Sequence, residues 1–132
     1  MTLEIGSLDV NGAIKRTGSY TGVDMRAGPN VDLVMNSHNL DFQDAEFDCV
    51  VCAETLEHDD APWETAKEIH RVLKDKGVFI VTVPGIGFKR HDFPSDYWRF
   101  TAAGVKALFK DFVTIECVED SAEHAVRAVL RK

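Results

Sequence analysis

The sequence has few of the features that mark several classes of protein. Its three cysteines, Cys49, Cys52 and Cys117, are odd in number and too few for a disulfide scaffold. Basic residues are in the minority, with 15 Lys and Arg against 22 Asp and Glu, and the net charge of −7 disfavours a nucleic-acid partner. The sequence shows no signal peptide and no long apolar run, so we expect a cytosolic protein without a membrane segment.

Two of the cysteines have the C-x-x-C spacing of redox and zinc sites. Their context, FDCVVCAE, is an apolar run that predicts a strand. Residues three apart on a strand point to opposite faces, so the sulfurs of Cys49 and Cys52 would not converge. We interpret them as buried structural thiols and predict no metal site from the sequence.

The chain of 132 residues is long enough for one domain, which we predict over 1–132. Short β-branched runs bounded by Gly, Pro, Asn or Asp predict its strands. The predicted strands cover 2–5, 19–23, 31–35, 46–52, 77–84, 112–118 and 125–130. A short turn or helix is predicted over 13–16.

Two longer helices have clear signals. Asp60 or Ala61 can cap the first, Pro62 suits its first turn, and Gly77 is predicted to end it. Its apolar stripe consists of Trp63, Ala66, Ile69, Val72 and Leu73. Thr101 is predicted to cap the second helix, whose apolar residues are Val105, Leu108 and Phe109.

The end of the chain departs from the alternation of strands and helices. Only residues 119–124 separate the last two strands, a connection that permits a hairpin and not a parallel crossover. The sequence therefore predicts an α/β fold: a Rossmann-like, mostly parallel sheet with an antiparallel C-terminal strand pair.

The opening stretch LEIGSLDVNG predicts a ligand site at the end of the first strand. Asp24, at the end of the second predicted strand, follows Gly6 by eighteen residues, near the roughly 20 that separate a glycine turn from a ribose-binding acid. Leu8 and Val10 stand where a pyrophosphate-binding loop would have more glycine. A nucleoside ligand without a diphosphate is therefore favoured.

Five segments in this order resemble the class I S-adenosylmethionine (SAM)-dependent methyltransferases, of the small type 11-like kind. They are LEIGSLDVNG, TGVDM, NSHNLDFQDAEFDCVVCAETLEH, EIHRVLKDKGVFIVTVPG and the C-terminal strand pair. The resemblance covers nearly the whole chain and implies that SAM is the cofactor. Relatives generally have one or two helices before the first strand, so we expect a short form whose site a second subunit, as in a homodimer, or a large acceptor closes.

The resemblance implies a role for each matching residue. Glu4 and Gly6 would border the methionine part of SAM, Asp24 would bind the ribose hydroxyls, and Met25 would pack on the adenine. Asn36 stands where many relatives have Asp to hold the adenine amino group. Further cofactor contacts are expected from Ser7, Ser37, Cys52, Ala53 and Glu54. A purely structural role stays open for each, most of all for Met25.

The acceptor side is less well defined. The irregular segment after the fifth predicted strand holds Tyr97, Trp98 and Arg99, and aromatic residues beside an Arg suit a pocket for a small-molecule or sugar-containing acceptor. These residues would alternatively cover an edge of the sheet. His58, His91, Tyr97 and Glu54 are candidate bases, and the sequence does not choose between them.

Two functions of different classes stay open. The chain is either an active methyltransferase or a catalytically inactive SAM-fold subunit that binds ligands or partners. A nucleotide-dependent dehydrogenase is a more distant third, disfavoured by the glycine loop and by the C-terminal strand pair.

Overall fold

Seven strands pair into one sheet in the computed structural model, which describes residues 1–9 and 18–132. The strands are β1 (Thr2–Ile5), β2 (Tyr20–Asp24), β3 (Leu33–Val34), β4 (Phe47–Ala53), β5 (Leu73–Pro84), β6 (Val113–Asp120) and β7 (Ala125–Arg131). Their order across the sheet is β3-β2-β1-β4-β5-β7-β6. The pairs among β1 to β5 are parallel, and β7 is antiparallel to both of its neighbours. The predicted α/β fold with an antiparallel C-terminal pair is confirmed.

The register of the sheet places one row of apolar side chains across four strands. Each residue of this row pairs with the next on the neighbouring strand, from β1 through β4 and β5 to β7, and all are fully buried: Leu3, Val50, Phe79 and Leu130. Because side chains alternate along a strand, the row faces one side of the sheet. The Phe79 ring contacts Phe109, just after the second helix, with ring centroids 4.9 Å apart. The core therefore lies between the sheet and its helices.

Two helices cover this face of the sheet. Helix α1 (Pro62–Val72) packs against β5, and helix α2 (Ala102–Leu108) packs against α1, β6 and β7. Pro62 occupies the first turn of α1, where its missing N–H removes no helical hydrogen bond. The Thr101 side chain caps α2 by accepting the Gly104 N–H at 3.0 Å, as predicted. No helix among the described residues is long and apolar enough to cross a membrane.

The predicted end of the first helix is wrong. Helix α1 ends at Val72, and Leu73 already pairs with Phe47 as the first residue of β5. Lys76 has a φ of +65°, so the chain turns sharply before Gly77. A side chain at Gly77 would place its Cβ 2.8 Å from the Leu73 side chain. Gly77 is thus required by close packing and does not end the helix.

Smaller differences also have local causes. Strand β3 is shorter than predicted because the Val31 N–H donates to the Gly28 carbonyl in a turn. Trp63 is half exposed, and Thr65 is fully buried on α1. The predicted turn or helix over 13–16 lies outside the described residues.

Candidate functional site

The carboxyl ends of β1 and β4 form the crevice where an open α/β sheet usually binds its ligand. Strand β1 pairs with both β2 and β4. Strands β2 and β3 lie on one side of β1, and all later strands lie on the other side. The strand order therefore reverses between β1 and β4. Gly6 follows β1 and Glu54 follows β4 at this reversal.

Gly6 lets the two strand ends approach each other. Its φ is +72°, in the left-handed region that favours glycine, and a Cβ at this position would lie 2.0 Å from Thr55 Oγ1. The N–H groups of Gly6 and Ser7 both donate to the Val23 carbonyl, at 2.9 and 3.0 Å. Gly6 and Ser7 are thus fixed to β2, directly before Asp24.

Asp24 lies beside this loop. Its carboxylate is mostly buried, with 14% of the side chain exposed, and it accepts the Arg26 N–H at 3.0 Å. The next residue, Met25, is 70% exposed, so it presents apolar surface next to the carboxylate. The structure thus places a carboxylate next to open apolar surface at the end of β2.

The other predicted cofactor residues differ in what they present. Glu4 is buried within β1, and Ala53 and Glu54 are exposed at the end of β4. The Asn36 side chain accepts the His38 N–H at 2.9 Å. The Ser37 hydroxyl donates to Thr65 Oγ1, whose own proton goes to Asp59. The Cys52 side chain is fully buried in the core. Only the Cys52 backbone can therefore border a ligand, and burial raises the pKa of its thiol.

A second group of polar side chains lies just after β4. Glu57 and His58 belong to a short 3₁₀ helix, Leu56–His58, and His91 comes from the segment after β5. Glu57 Oε1 is 3.2 Å from His91 Nε2 and 3.5 Å from His58 Nε2. The two imidazole rings meet edge to face, with centroids 4.9 Å apart. The structure thus brings two of the four candidate bases, His58 and His91, together around one carboxylate.

The opposite ring nitrogens of both histidines face backbone carbonyls. His58 Nδ1 is 2.5 Å from the Ser95 carbonyl oxygen, and His91 Nδ1 is 3.0 Å from that of Lys89. A carbonyl oxygen only accepts hydrogen bonds, so each Nδ1 carries a proton and donates it. In the neutral form of either ring, Nε2 then carries the lone pair, and the lone pair of His91 faces Glu57.

Burial and neighbouring groups shift the pKa values of Glu57 and His91. Glu57 is fully buried, which raises the pKa of its carboxyl, and its Oε2 has no hydrogen-bond partner among the described residues. Burial acts to lower the pKa of His91, but the Lys89 carbonyl and the carboxylates of Glu57 and Asp96 outweigh it, and the pKa is raised. No local sequence pattern marks the burial of Glu57, so the sequence does not predict its place in this group.

The segment 85–100 is held in place by Arg99. Its guanidinium binds the Asp96 carboxylate through two nitrogens, at 2.6 and 2.8 Å. It also donates to the carbonyls of Phe88, Lys89 and Trp98. These contacts use all five N–H groups of the side chain. Arg99 therefore positions the segment in this conformation, and the guanidinium holds the pKa of Asp96 well below its usual range.

The same segment reaches across the site. The Arg26 guanidinium lies over the Phe93 ring at 4.0 Å, next to Asp24, and the Tyr97 N–H donates to the Glu57 carbonyl at 2.7 Å. Trp98 donates its indole N–H to the carbonyl of Asp59, the residue after His58. Trp98 also lines an open groove of about 270 Å³ together with Trp63. The segment thus connects the Asp24 side with the histidine pair.

Comparison with known proteins identifies the family. The methyltransferase domain model matches residues 8–81, more than half of the chain. The chain therefore belongs to this family of methyltransferase domains, as the resemblance predicted. A comparison with curated protein sequences gives no match.

Solved structures share the fold over almost the whole chain. A SAM-dependent methyltransferase from Methanosarcina mazei is 18% identical with a TM-score of 0.74, and the match covers 99% of this chain and 91% of that one. The 1,6-didemethyltoxoflavin-N1-methyltransferase from Burkholderia thailandensis, solved with S-adenosylhomocysteine, is 21% identical with a TM-score of 0.76, covering 99% and 70%. The [4+2]-cyclase SpnF is 14% identical with a TM-score of 0.78, covering 99% and 74%. At these identities the likeness concerns the fold.

Proposed function

We propose that this protein binds SAM across the carboxyl ends of β1, β2 and β4 and transfers its methyl group to a small-molecule acceptor, a class that includes sugar-containing compounds. The observation that carries the proposal is the position of segment 85–100. It contacts Arg26 beside Asp24 through Phe93, and it contacts His58 through the Ser95 carbonyl. This position supports a site in which the proposed cofactor residues and the proposed acceptor residues are neighbours.

The residues at the ends of β1 and β2 suit the cofactor. SAM carries its methyl group on a positively charged sulfur, so the task left to the protein is to align the reactants and exclude water. We assign Asp24 to the ribose hydroxyls and Met25 to the adenine face. The Gly6 backbone borders the methionine part, where the absence of a side chain permits close approach. Contacts from Glu4, Ser7, Asn36, Ser37, Ala53 and Glu54 complete the proposed cofactor set.

The acceptor is assigned to the other end of the cleft. Tyr97 and Trp98 are 52% and 39% exposed, so both offer aromatic surface to a ligand. His58 and His91 stand next to them and can draw off the proton that a hydroxyl or ammonium acceptor must lose. We leave Arg99 out of the acceptor contacts because its five N–H groups already bind within the segment.

Calorimetric titration with SAM and with S-adenosylhomocysteine tests the cofactor site. We expect micromolar binding that Asp24→Ala weakens by about tenfold or more, on the order of 1.4 kcal/mol. Asp111→Ala is the matched control, because Asp111 is an exposed acid in the turn after α2, far from the cleft in the sheet order. Equal affinities for the two variants would contradict the assignment of Asp24.

A screen of hydroxyl and amine acceptors then separates the two functions left open by the sequence. Release of S-adenosylhomocysteine that depends on one acceptor supports the enzyme. SAM binding without turnover across the screen would favour a catalytically inactive subunit. The cytosolic location and the second subunit stay predictions.

A further inference from the structure

We infer that Glu57, His58 and His91 form a binding site for one divalent transition-metal cation. Two imidazoles and one carboxylate are the ligand set that proteins use for catalytic zinc and for non-haem iron(II). The three residues come from two segments more than thirty residues apart, and one ligand atom of each lies within 4.8 Å of the others. The inference departs from the sequence, which predicts no metal.

The spacing of the ligand atoms matches a coordinated ion. Two ligand atoms that are each about 2.0–2.1 Å from a tetrahedral zinc ion lie about 3.3–3.4 Å from each other. Glu57 Oε1 lies 3.2 Å from His91 Nε2 and 3.5 Å from His58 Nε2. These two separations are close to that value, and the ligand atoms of all three residues lie within 4.8 Å of one another.

The hydrogen bonds behind the rings are those of metal-binding histidines. A ligating histidine usually donates its second ring N–H to a carbonyl or carboxylate, which fixes the ring and directs the other nitrogen at the metal. His58 and His91 do this through the carbonyls of Ser95 and Lys89. His91 Nδ1 also lies 3.3 Å from an oxygen of Asp96, a buried carboxylate. His91 Nε2 is thus directed at Glu57 by fixed partners, and His58 Nε2 lies 3.5 Å from the same carboxylate oxygen.

Glu57 supplies the independent evidence. Its side chain is fully buried at the centre of the group, and its Oε2 has no hydrogen-bond partner among residues 1–9 and 18–132. A buried carboxylate with an unsatisfied oxygen is costly unless a cation or a donor meets it. A cation held with both Nε2 atoms compensates this charge. His91 is 35% exposed, so the group is open to solvent on its side and an ion can enter there.

The other group of acids and histidine does not need a cation. In the group of His38, Asp59 and Asp60, one Asp59 oxygen binds His38 Nε2 and the Ala61 N–H. The second Asp59 oxygen accepts the Thr65 hydroxyl at 2.6 Å. These contacts tie the start of α1 to the β3–β4 connection. A variant of His38 therefore serves as the control in the metal titration.

A site with three protein ligands keeps one position for water or substrate, as catalytic sites do. On the proposed function, that position would take an oxygen or nitrogen of the acceptor. With the cation bound, both Nε2 atoms would be ligands and not bases, and the cation as a Lewis acid would favour loss of the acceptor proton to water. Glu54, three residues before Glu57 and exposed at the end of β4, would face the same opening. This step depends on the proposed methyl transfer, whereas metal binding does not.

The test is titration of untagged, chelator-treated protein with Zn²⁺, and with Co²⁺ followed by visible absorption. We expect one ion per chain with about micromolar or tighter affinity. His91→Asn and the isosteric Glu57→Gln should each weaken it by at least about tenfold, and His38→Asn should leave it unchanged. His91 is partly exposed, so its variant should keep the wild-type circular dichroism even if Glu57→Gln loses stability.

Two results would overturn the inference. One is a folded wild-type protein that binds neither ion at about 0.1 mM, a concentration 100 times a micromolar dissociation constant. The other is binding that His38→Asn abolishes and His91→Asn does not. SAM affinity measured on the same chelated protein reports separately on the cofactor site, so failure of one proposal is distinguishable from failure of the other.

Discussion

Gly6→Ala should destabilise the protein strongly, because two independent effects meet at this position. An alanine with a φ of +72° has left-handed backbone strain of about 1–2 kcal/mol. Its Cβ would also lie 2.0 Å from Thr55 Oγ1, 2.6 Å from Cγ2 and 2.8 Å from Cβ. Since Thr55 Cβ is itself too close, a rotation of the side chain cannot relieve the clash. Overpacking of this kind costs about 1–3 kcal/mol, so we expect a total loss of about 2–5 kcal/mol.

Gly18→Ala separates the two effects. Gly18 also has a positive φ, +94°, but an added Cβ meets no atom within 4 Å among the described residues. It should therefore cost only the backbone strain, about 1–2 kcal/mol. Urea unfolding of both variants measures the difference, with the slope of the transition checked for constancy. Equal losses for the two variants would refute the close approach of Gly6 to Thr55, and with it the geometry of the crevice.

Further predictions concern the contacts that hold segment 85–100 and the connection between β3 and β4. Arg99→Met should lower the free energy of unfolding by about 3–5 kcal/mol, because the buried Asp96 carboxylate loses both guanidinium contacts and keeps only those with His91. Urea unfolding checks this, and a loss below about 1 kcal/mol would contradict the role of Arg99 in holding segment 85–100. Arg71 holds the pKa of Glu68 below its ordinary value of 4.5, so the stability from this pair is present above about pH 4.5 and is lost as the pH falls below it. Glu68→Gln should therefore be less stable than wild type at pH 7, with a smaller difference at pH 3; a difference independent of pH would count against the pair.

Much of the fold could be predicted because it depends on local patterns. Alternating and β-branched runs give the strands, and the short connection over 119–124 requires an antiparallel pair. The end of α1 was misassigned because Lys74, Lys76 and Gly77 form the local pattern of a helix terminus. Leu73 instead pairs with Phe47, a contact that no local pattern encodes.

The site divides in the same way. Gly6 and Asp24 stand out because their spacing is a property of the chain, and the structure brings them to one edge of the sheet. The role of Glu57 depends on His91, thirty-four residues later, and on burial beneath the segment that Arg99 holds. An irregular segment has no period from which such contacts could be read. These contacts form only when the segment folds back on the end of β4.

Mapping of S-adenosylhomocysteine binding by amide chemical shifts tests the central claim most directly, and a chain of 14.7 kDa suits this measurement. The account predicts that the largest shifts fall on Gly6, Ser7, Met25, Ser37 and Glu54, the residues at the carboxyl ends of the parallel strands. Smaller shifts are expected over 91–98, within segment 85–100, because this segment contacts the residues near Asp24. Shifts confined to the β6–β7 hairpin, or no shifts in a folded protein at millimolar ligand, would contradict a cofactor site at the β1–β4 reversal.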